Sequence, residues 1–212
     1  LSGALWTGDG PGIELAAVAL AAGGVIGFPT DTVFGVACSA TSPEAITRLC
    51  EIKFRSPTQP LILMAASWQE MDGFVTWPPT AAGLIQRFWP GPLTLIVGAQ
   101  RKGAALGGGD TVGVRTPAHP TALALLRRSG PLATSSANRH GGESAVDAGS
   151  ALRLLPGLAG ALAANEREPS TATPSSILDL TRDQPVLIRE GRLSARELGV
   201  PVPEQEPGIR RD

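Results

Sequence analysis

The sequence predicts an α/β (α+β) fold in which helices flank a β-sheet of mixed direction. Three observations carry that prediction. Apolar residues make up 42 % of the 212, enough to bury a sizeable core. Apolar runs of strand length recur between stretches with helical starts and periodicity. The two kinds of segment do not alternate strictly, which favours mixed strand directions over a uniform βαβ sheet. No internal repeat and no break in composition marks a second domain, so residues 1–200 read as one domain. The tail 201–212, rich in Pro, Glu and Arg, reads as disordered.

The elements follow in order. Residues 1–10 are small and polar and read as loose. Residues 13–22 (IELAAVALAA) read as an Ala-rich helix, ended by Gly23-Gly24. Residues 25–28 (VIGF) form a short buried strand that stops at Pro29, and a polar loop follows. Ser42-Pro43-Glu44 is a helix start: a capping serine, proline at the first position and an acid in the first turn. Ile46, Leu49, Cys50 and Lys53 share one side of that helix, with Lys53 at its far end. Residues 61–65 (LILMA) are another buried strand, and a helix covers 79–88. Trp89-Pro90-Gly91-Pro92 is a rigid turn before the strand 93–98. Residues 101–110 read as a glycine-rich mobile loop. A strand at 111–115, a helix at 119–129, a strand at 131–134 and a helix at 145–155 come next. The last strands are 175–180 and 185–189.

Composition narrows the function classes. A net charge of −1 offers no global electrostatic case for nucleic-acid binding. The base is nearly all arginine, with Lys53 and Lys102 the two lysines. Cys38 and Cys50 fit no CxxC redox or zinc spacing and read as two buried thiols in a reducing cytosol. The longest apolar run, Leu15 to Ala22, is too short to span a bilayer, and the first residues do not resemble a signal peptide. A cytoplasmic location and no membrane partner are expected.

Familiar motifs are missing. There is no GxxxxGK[ST], no HExxH and no GxGxxG. What remains is a set of polar clusters at the ends of apolar strands, where α/β folds commonly place ligand sites. PTDTVFG (29–35) offers hydroxyls and backbone N–H groups; an ordinary Asx-type turn would look the same. Lys53 and Arg55 could hold a triphosphate, or could only complement a helix C-terminus. Arg115 could clamp a carboxylate or merely end a strand in solvent. Thr134-Ser135-Ser136-Ala137-Asn138 is dense in hydroxyl donors, and equally could be a capped turn. Ser175-Ser176 with Arg189-Glu190-Gly191 completes the set.

Taken in order, PTDTVFG, KFR (53–55), WPGPLT (89–94), VGVRTPAHP (112–120), SSAN (135–138), SSILDL and IREG resemble the YrdC-like threonylcarbamoyl-AMP synthase family over about residues 20–191. The run LILMAA (61–66) resembles the bacterial single-domain branch. The resemblance implies a twisted mixed β-sheet around a deep concave cleft. It implies a nucleotidyltransferase that joins L-threonine, bicarbonate and ATP, with Mg²⁺, into an adenylate and pyrophosphate. By the family pattern, Lys53, Arg55 and Ser136 are catalytic. Gln59, Thr111, Asn138, Ser144 and Arg189 join them around ATP. Thr32, Arg115, Thr134 and Ser175 would hold threonine, and no side chain would ligate a metal. Implied partners are a tRNA or double-stranded RNA contact and downstream proteins that transfer the threonylcarbamoyl group to tRNA.

Four places depart from that pattern. Phe34 stands for a common Tyr, Gln59 for a common lysine and His140 for a common serine, and residues 165–174 replace a glycine-rich stretch. Two other readings stay open: a non-catalytic RNA-binding module on the same fold, and a domain that forms a carbamoyl adenylate from carbamoyl phosphate.

Overall fold

A computed structural model describes residues 3–139, 141–164 and 173–201. Strand β1 (Ala4–Trp6) precedes helix α1 (Gly10–Ala21), whose first turn is capped by Asp9, with Pro11 near its start. Strands β2 (Ile26–Phe28) and β3 (Gly35–Ser39) form an antiparallel pair around the PTDTVFG turn. Helix α2 (Pro43–Lys53) begins as its sequence predicts, with the Ser42 side chain accepting from the Ala45 N–H. Strand β4 (Ile62–Met64), the two-residue β5 (Val75–Thr76), helix α3 (Ala81–Phe88) and strand β6 (Leu93–Ala99) follow. Then come α4 (Arg101–Ala104), β7 (Thr111–Arg115), α5 (Pro120–Ser129) and β8 (Leu132–Ser136). The remaining elements are α6 (Ala148–Leu154), β9 (Gly160–Leu162), β10 (Ser176–Asp179), β11 (Val186–Arg189) and α7 (Ala195–Leu198).

One mixed sheet runs through these residues in the order β1-β9-β2-β3-β8-β4-β7-β6-β10-β11, with β5 added to β6. The pairs β1/β9, β2/β9, β4/β7 and β6/β10 are parallel, and the others are antiparallel. One apolar layer joins Ile13, Ala16 and Leu20 of α1 to Leu125 and Leu126 of α5 over Phe28 and Met64. The larger layer packs Ile46 and Leu49 of α2, with Leu155 and Leu198, against Leu63, Leu95 and Val114. Burying both faces of the central strands explains why they read as continuous apolar runs.

Three expectations change. The described part of residues 1–10, from Gly3 onward, is not loose, since Ala4, Leu5 and Trp6 pair in register with Gly160, Ala161 and Leu162. Such a close approach requires Gly160, because a Cβ there would lie 2.4 Å from the Trp6 ring. The 101–110 stretch carries the short helix α4. It is pinned by the buried Leu106, whose carbonyl accepts from the Leu61 N–H at 2.8 Å. The loop expected after Pro29 is shorter than it reads, because Gly35–Ser39 forms strand β3 between β2 and β8. Cys38 and Cys50 are free and buried, as expected, and burial pushes the Cys38 thiol up to about 12. No helix among the described residues is long and apolar enough to cross a membrane. His140, most of 165–174 and the tail after Pro201 lie outside the described residues.

Leu63 is central to the larger layer and fully buried. Leu63→Ala should cost about 2–5 kcal/mol in urea unfolding, whereas Leu5→Ser, at an exposed edge position, should stay within about 0.5 kcal/mol.

Candidate active site

The β2–β3 turn is the first wall of the site. Thr30 Oγ1 donates to the Val33 carbonyl at 2.7 Å and accepts from the Thr32 N–H at 3.2 Å. Both threonines are buried. These bonds fix the turn and aim the Asp31 and Thr32 side chains toward the end of β7, where Arg115 stands.

Arg115 is 2 % exposed. A buried guanidinium needs oxygen partners, and it has three of them, from two segments remote in sequence. Its Nε donates to the Gly91 carbonyl at 2.9 Å, its Nη1 to Thr32 Oγ1 at 2.8 Å and its Nη2 to Asp31 Oδ1 at 2.5 Å. The Trp89–Pro92 turn contributes Gly91, which is held in place by its own N–H on the Thr116 carbonyl. Burial lowers the Arg115 pKa, Asp31 opposes that, and Arg189 and Arg192 add repulsion. With five N–H donors, Arg115 keeps one more hydrogen on each terminal nitrogen for a ligand.

The second wall is the end of β8, reached from α2. Lys53 is 3 % exposed, and its ammonium donates to three oxygens of one loop. These are the Ser136 carbonyl, the Asn138 carbonyl at 2.6 Å and Asn138 Oδ1 at 3.3 Å. Ser136 Oγ donates to that same Oδ1 at 2.5 Å. Arg55 donates from Nη1 to Ser135 Oγ at 2.9 Å and from Nη2 to the Pro60 carbonyl at 3.0 Å, while its Nε is buried with no partner among the described residues. Burial first, and Arg55 second, lower the Lys53 pKa from the usual 10.5 to about 8. The chain reverses immediately after Lys53, where Phe54 takes the left-handed conformation (φ 53°).

A cavity of about 390 Å³ runs between these walls. Its floor follows the register: Met64 pairs with Arg115, and Ile62 pairs with Gly113 and Thr134. Pro60, Ile62 and Met64 all line it. The Arg115 end and the Pro60–Ser136 end are therefore separated by roughly 13 Å at a strand rise of about 3.3 Å per residue. The β10–β11 pair closes the side. Arg189 donates from Nε and Nη2 to the Ser175 carbonyl at 3.1 and 2.9 Å, and burial lowers its pKa. Ser175 Oγ shares a hydrogen bond with Thr94 Oγ1 at 2.9 Å.

Seven residues singled out in the sequence line this cavity: Thr32, Arg115, Thr134, Ser136, Ser144, Ser175 and Arg189. Lys53, Arg55 and Asn138 do not line it but bond to Ser135 and Ser136, which do. Gln59 and Thr111 are not in the lining either. Gln59 directly precedes Pro60, and Thr111 lies two residues before Gly113, on the Arg115 face of β7.

Sequence reasoning named Asp31, Ser135 and Ser176 only within their polar clusters and gave none of them a role of its own. Asp31 was visible only as part of PTDTVFG. The Oγ of Ser176 accepts from the Gly191 and Leu193 N–H groups and donates to the Leu193 carbonyl, fastening the chain after β11 beside Ser175. Gly191 is required there, since a Cβ would lie 2.3 Å from the Pro174 carbonyl. Phe34 is buried in the larger apolar layer and is not among the residues that line the cavity. Among the described residues no group of three or more His, Cys, Asp or Glu could hold a metal ion.

The Sua5/YciO/YrdC family model, described as "Telomere recombination", matches residues 18–191. A putative threonylcarbamoyl-AMP synthase of Mycobacterium tuberculosis H37Rv is 38 % identical over 192 residues, covering 88 % of this chain and 87 % of that protein. A threonylcarbamoyl-AMP synthase of Pyrococcus abyssi is 35 % identical over 88 % of this chain and 56 % of its own length. In structure, P. abyssi Sua5 complexed with L-threonine superposes with a TM-score of 0.84 at 34 % identity, covering 92 % of this chain and 58 % of that one. E. coli YciO gives 0.78 at 26 % identity, covering 92 % and 97 %. The chain thus spans little more than half the length of the P. abyssi protein.

Burial holds the Lys53 pKa near 8, below its usual 10.5, so between those values Lys53 binds its proton more tightly with the 136–138 loop opened than with it closed, and raising the pH favours the closed loop. Backbone amide exchange at 136–139, corrected for the intrinsic pH effect, should therefore slow as pH rises through about 8, and Lys53→Met should abolish that dependence.

Proposed function

The chain belongs to the Sua5/YciO/YrdC family, and on that premise we propose that it is a threonylcarbamoyl-AMP synthase: a nucleotidyltransferase that makes L-threonylcarbamoyladenylate and pyrophosphate from L-threonine, bicarbonate and ATP. One observation carries the reading. A single cavity has a buried guanidinium suited to a carboxylate at one end and a cation-supported hydroxyl cluster suited to phosphate at the other.

In this reading the threonine carboxylate takes the two remaining Arg115 hydrogens as a bidentate pair. Thr32, Thr134 and Ser175 surround its side chain. Thr134 Oγ1 is oriented by its bond to the Ile62 carbonyl at 2.9 Å, which leaves its lone pairs for a substrate hydroxyl. The threonine amine adds to the bicarbonate carbon and water leaves, forming a carbamate. A carbamate oxygen then attacks the α-phosphorus of ATP, the α–β P–O bond breaks, and pyrophosphate departs. No dedicated base is needed at that step, so positioning and charge neutralisation account for the rate.

Ser136 and Arg189 face the phosphates from the cavity lining, with Asn138 and Arg55 behind them, bonded to Ser136 and Ser135, and Ser144 is a further contact. Lys53 acts through the loop it gathers. Gln59 and Thr111 sit at the outer, nucleotide end. Mg²⁺ arrives on the triphosphate as part of the substrate, held by phosphate oxygens and water. The product is an activated acyl adenylate that suits transfer to tRNA by partner proteins in the cytoplasm.

The test is pyrophosphate release, which should need threonine, bicarbonate and ATP together, with serine and valine as poor substitutes. Release without threonine would overturn the reading. Arg115→Ala should raise the threonine KM roughly 10- to 100-fold, the loss of a charge-assisted pair, while the ATP KM stays within about twofold. Arg55→Ala and Lys53→Ala should each lower kcat by at least about 100-fold with far-UV circular dichroism unchanged. Full activity in either variant would remove the phosphate-end assignment.

A further inference from the structure

Asp31 has no place in the chemistry above, yet its carboxylate sits 2.5 Å from the guanidinium proposed to receive the substrate carboxylate. Its side chain is only 16 % exposed, beside one of 3 %. Surface ion pairs of arginine are commonplace, but this one is largely buried at the end of the cavity: Arg115 lines it, and Asp31 lies directly behind, between the lining residues Thr30 and Thr32. The turn that carries Asp31 is fixed from within by Thr30, and Arg192 Nη1 donates to the Asp31 carbonyl at 3.3 Å from the chain that follows β11. The carboxylate is therefore presented to Arg115 from a preorganised loop.

An unbalanced guanidinium in a closed cavity would accept any small carboxylate. Arg189 and Arg192 both repel the Arg115 charge, so the local field already favours anions. Asp31 changes what that field selects. With it, the Arg115 end of the cavity carries a positive and a negative group within one hydrogen bond of each other, the negative one just behind the lining. An α-amino acid has the matching pattern, a carboxylate two bonds from an ammonium. A carboxylic acid without the amine has only the negative half, and its charge meets the Asp31 charge with nothing to offset it.

We propose that Asp31 is a specificity-determining residue: its charge, paired with Arg115, makes the clamp select the zwitterion of an α-amino acid and reject the same acid lacking its amino group. This rests on the reading of the site as an amino-acid site, and it adds the basis on which ligands that share a carboxylate are told apart. The selection acts on the incoming amino acid, before its nitrogen becomes a carbamate. Arg189, at the side of the cavity, is the cation placed to meet the negative charge that then develops.

The test compares the binding of L-threonine and of 3-hydroxybutyrate, its counterpart without the amine, by calorimetry on the full chain and on Asp31→Asn. The substitution keeps shape and removes charge. The wild type should prefer threonine by at least about 30-fold, a ratio that two opposed charge terms of ordinary size would produce. In Asp31→Asn the two affinities should move in opposite directions, threonine weaker and 3-hydroxybutyrate tighter, closing the gap by at least about tenfold. Asp31→Glu, which keeps the charge, should retain most of the preference. Equal losses for both ligands would mean that Asp31 merely supports the fold, and the proposal would be abandoned. If Asp31→Asn does not fold, the wild-type comparison still decides, since equal affinity for the two ligands overturns the idea. Valine and 3-methylbutyrate form a parallel pair. A charge-dependent preference there, with no binding of threonine, would uphold the role of Asp31 and overturn the proposed substrate.

Discussion

Positive charge buried beside a β-sheet has to be surrounded by oxygen, and much of this site is the result of meeting that requirement twice. Lys53 collects the carbonyls of Ser136 and Asn138 and the amide oxygen of Asn138. Arg115 collects the Gly91 carbonyl, a hydroxyl from Thr32 and a carboxylate from Asp31. Leaving either cation unpaired would cost several kcal/mol. Segments that are remote in sequence are thereby drawn to fixed points, and each cation orders a different end of one cavity.

The division of labour follows from burial. Lys53 spends its hydrogens on protein oxygens and acts through the loop they belong to. Arg115, with five donors instead of three, satisfies its surroundings and still has hydrogens to offer. Lysine at position 115 could not do both. The same count explains why the cavity's other exposed-facing cation is also an arginine: Arg189 braces the Ser175 carbonyl with two nitrogens and remains part of the lining.

Much of this was legible in the residues. The helix at 43–53 announces itself through Ser42, Pro43 and Glu44, and β4, β6 and β7 through apolar runs bounded by proline and glycine. The polar clusters at strand ends mark the loops that meet at the cavity. Other parts were not legible. Strands β1, β3 and β9 are short and rich in Gly and Ala, which have no strand preference of their own, and their state is set by the partners beside them. The Asp31–Arg115 pair joins residues 84 apart, and no local spacing encodes it. The indirect role of Lys53 was hidden for the same reason: its partners lie 83 and 85 residues away. A cation beside a predicted loop suggests an anion, and only coordinates show that carbonyls have taken its hydrogens.

Ser175 and Arg189, with the Ser176 hydroxyl that ties the following chain to them, come from the ends of the last two strands of the sheet, whereas Thr32 comes from the turn between β2 and β3. During synthesis the ribosome therefore makes strands β1 to β9, which end at Leu162, before the cavity has a side wall. Ligands cannot help the nascent protein to fold, because what they would hold together has not yet left the exit tunnel. Early stability has to come from the apolar layers alone, and small molecules can add to it only after translation has passed Leu193.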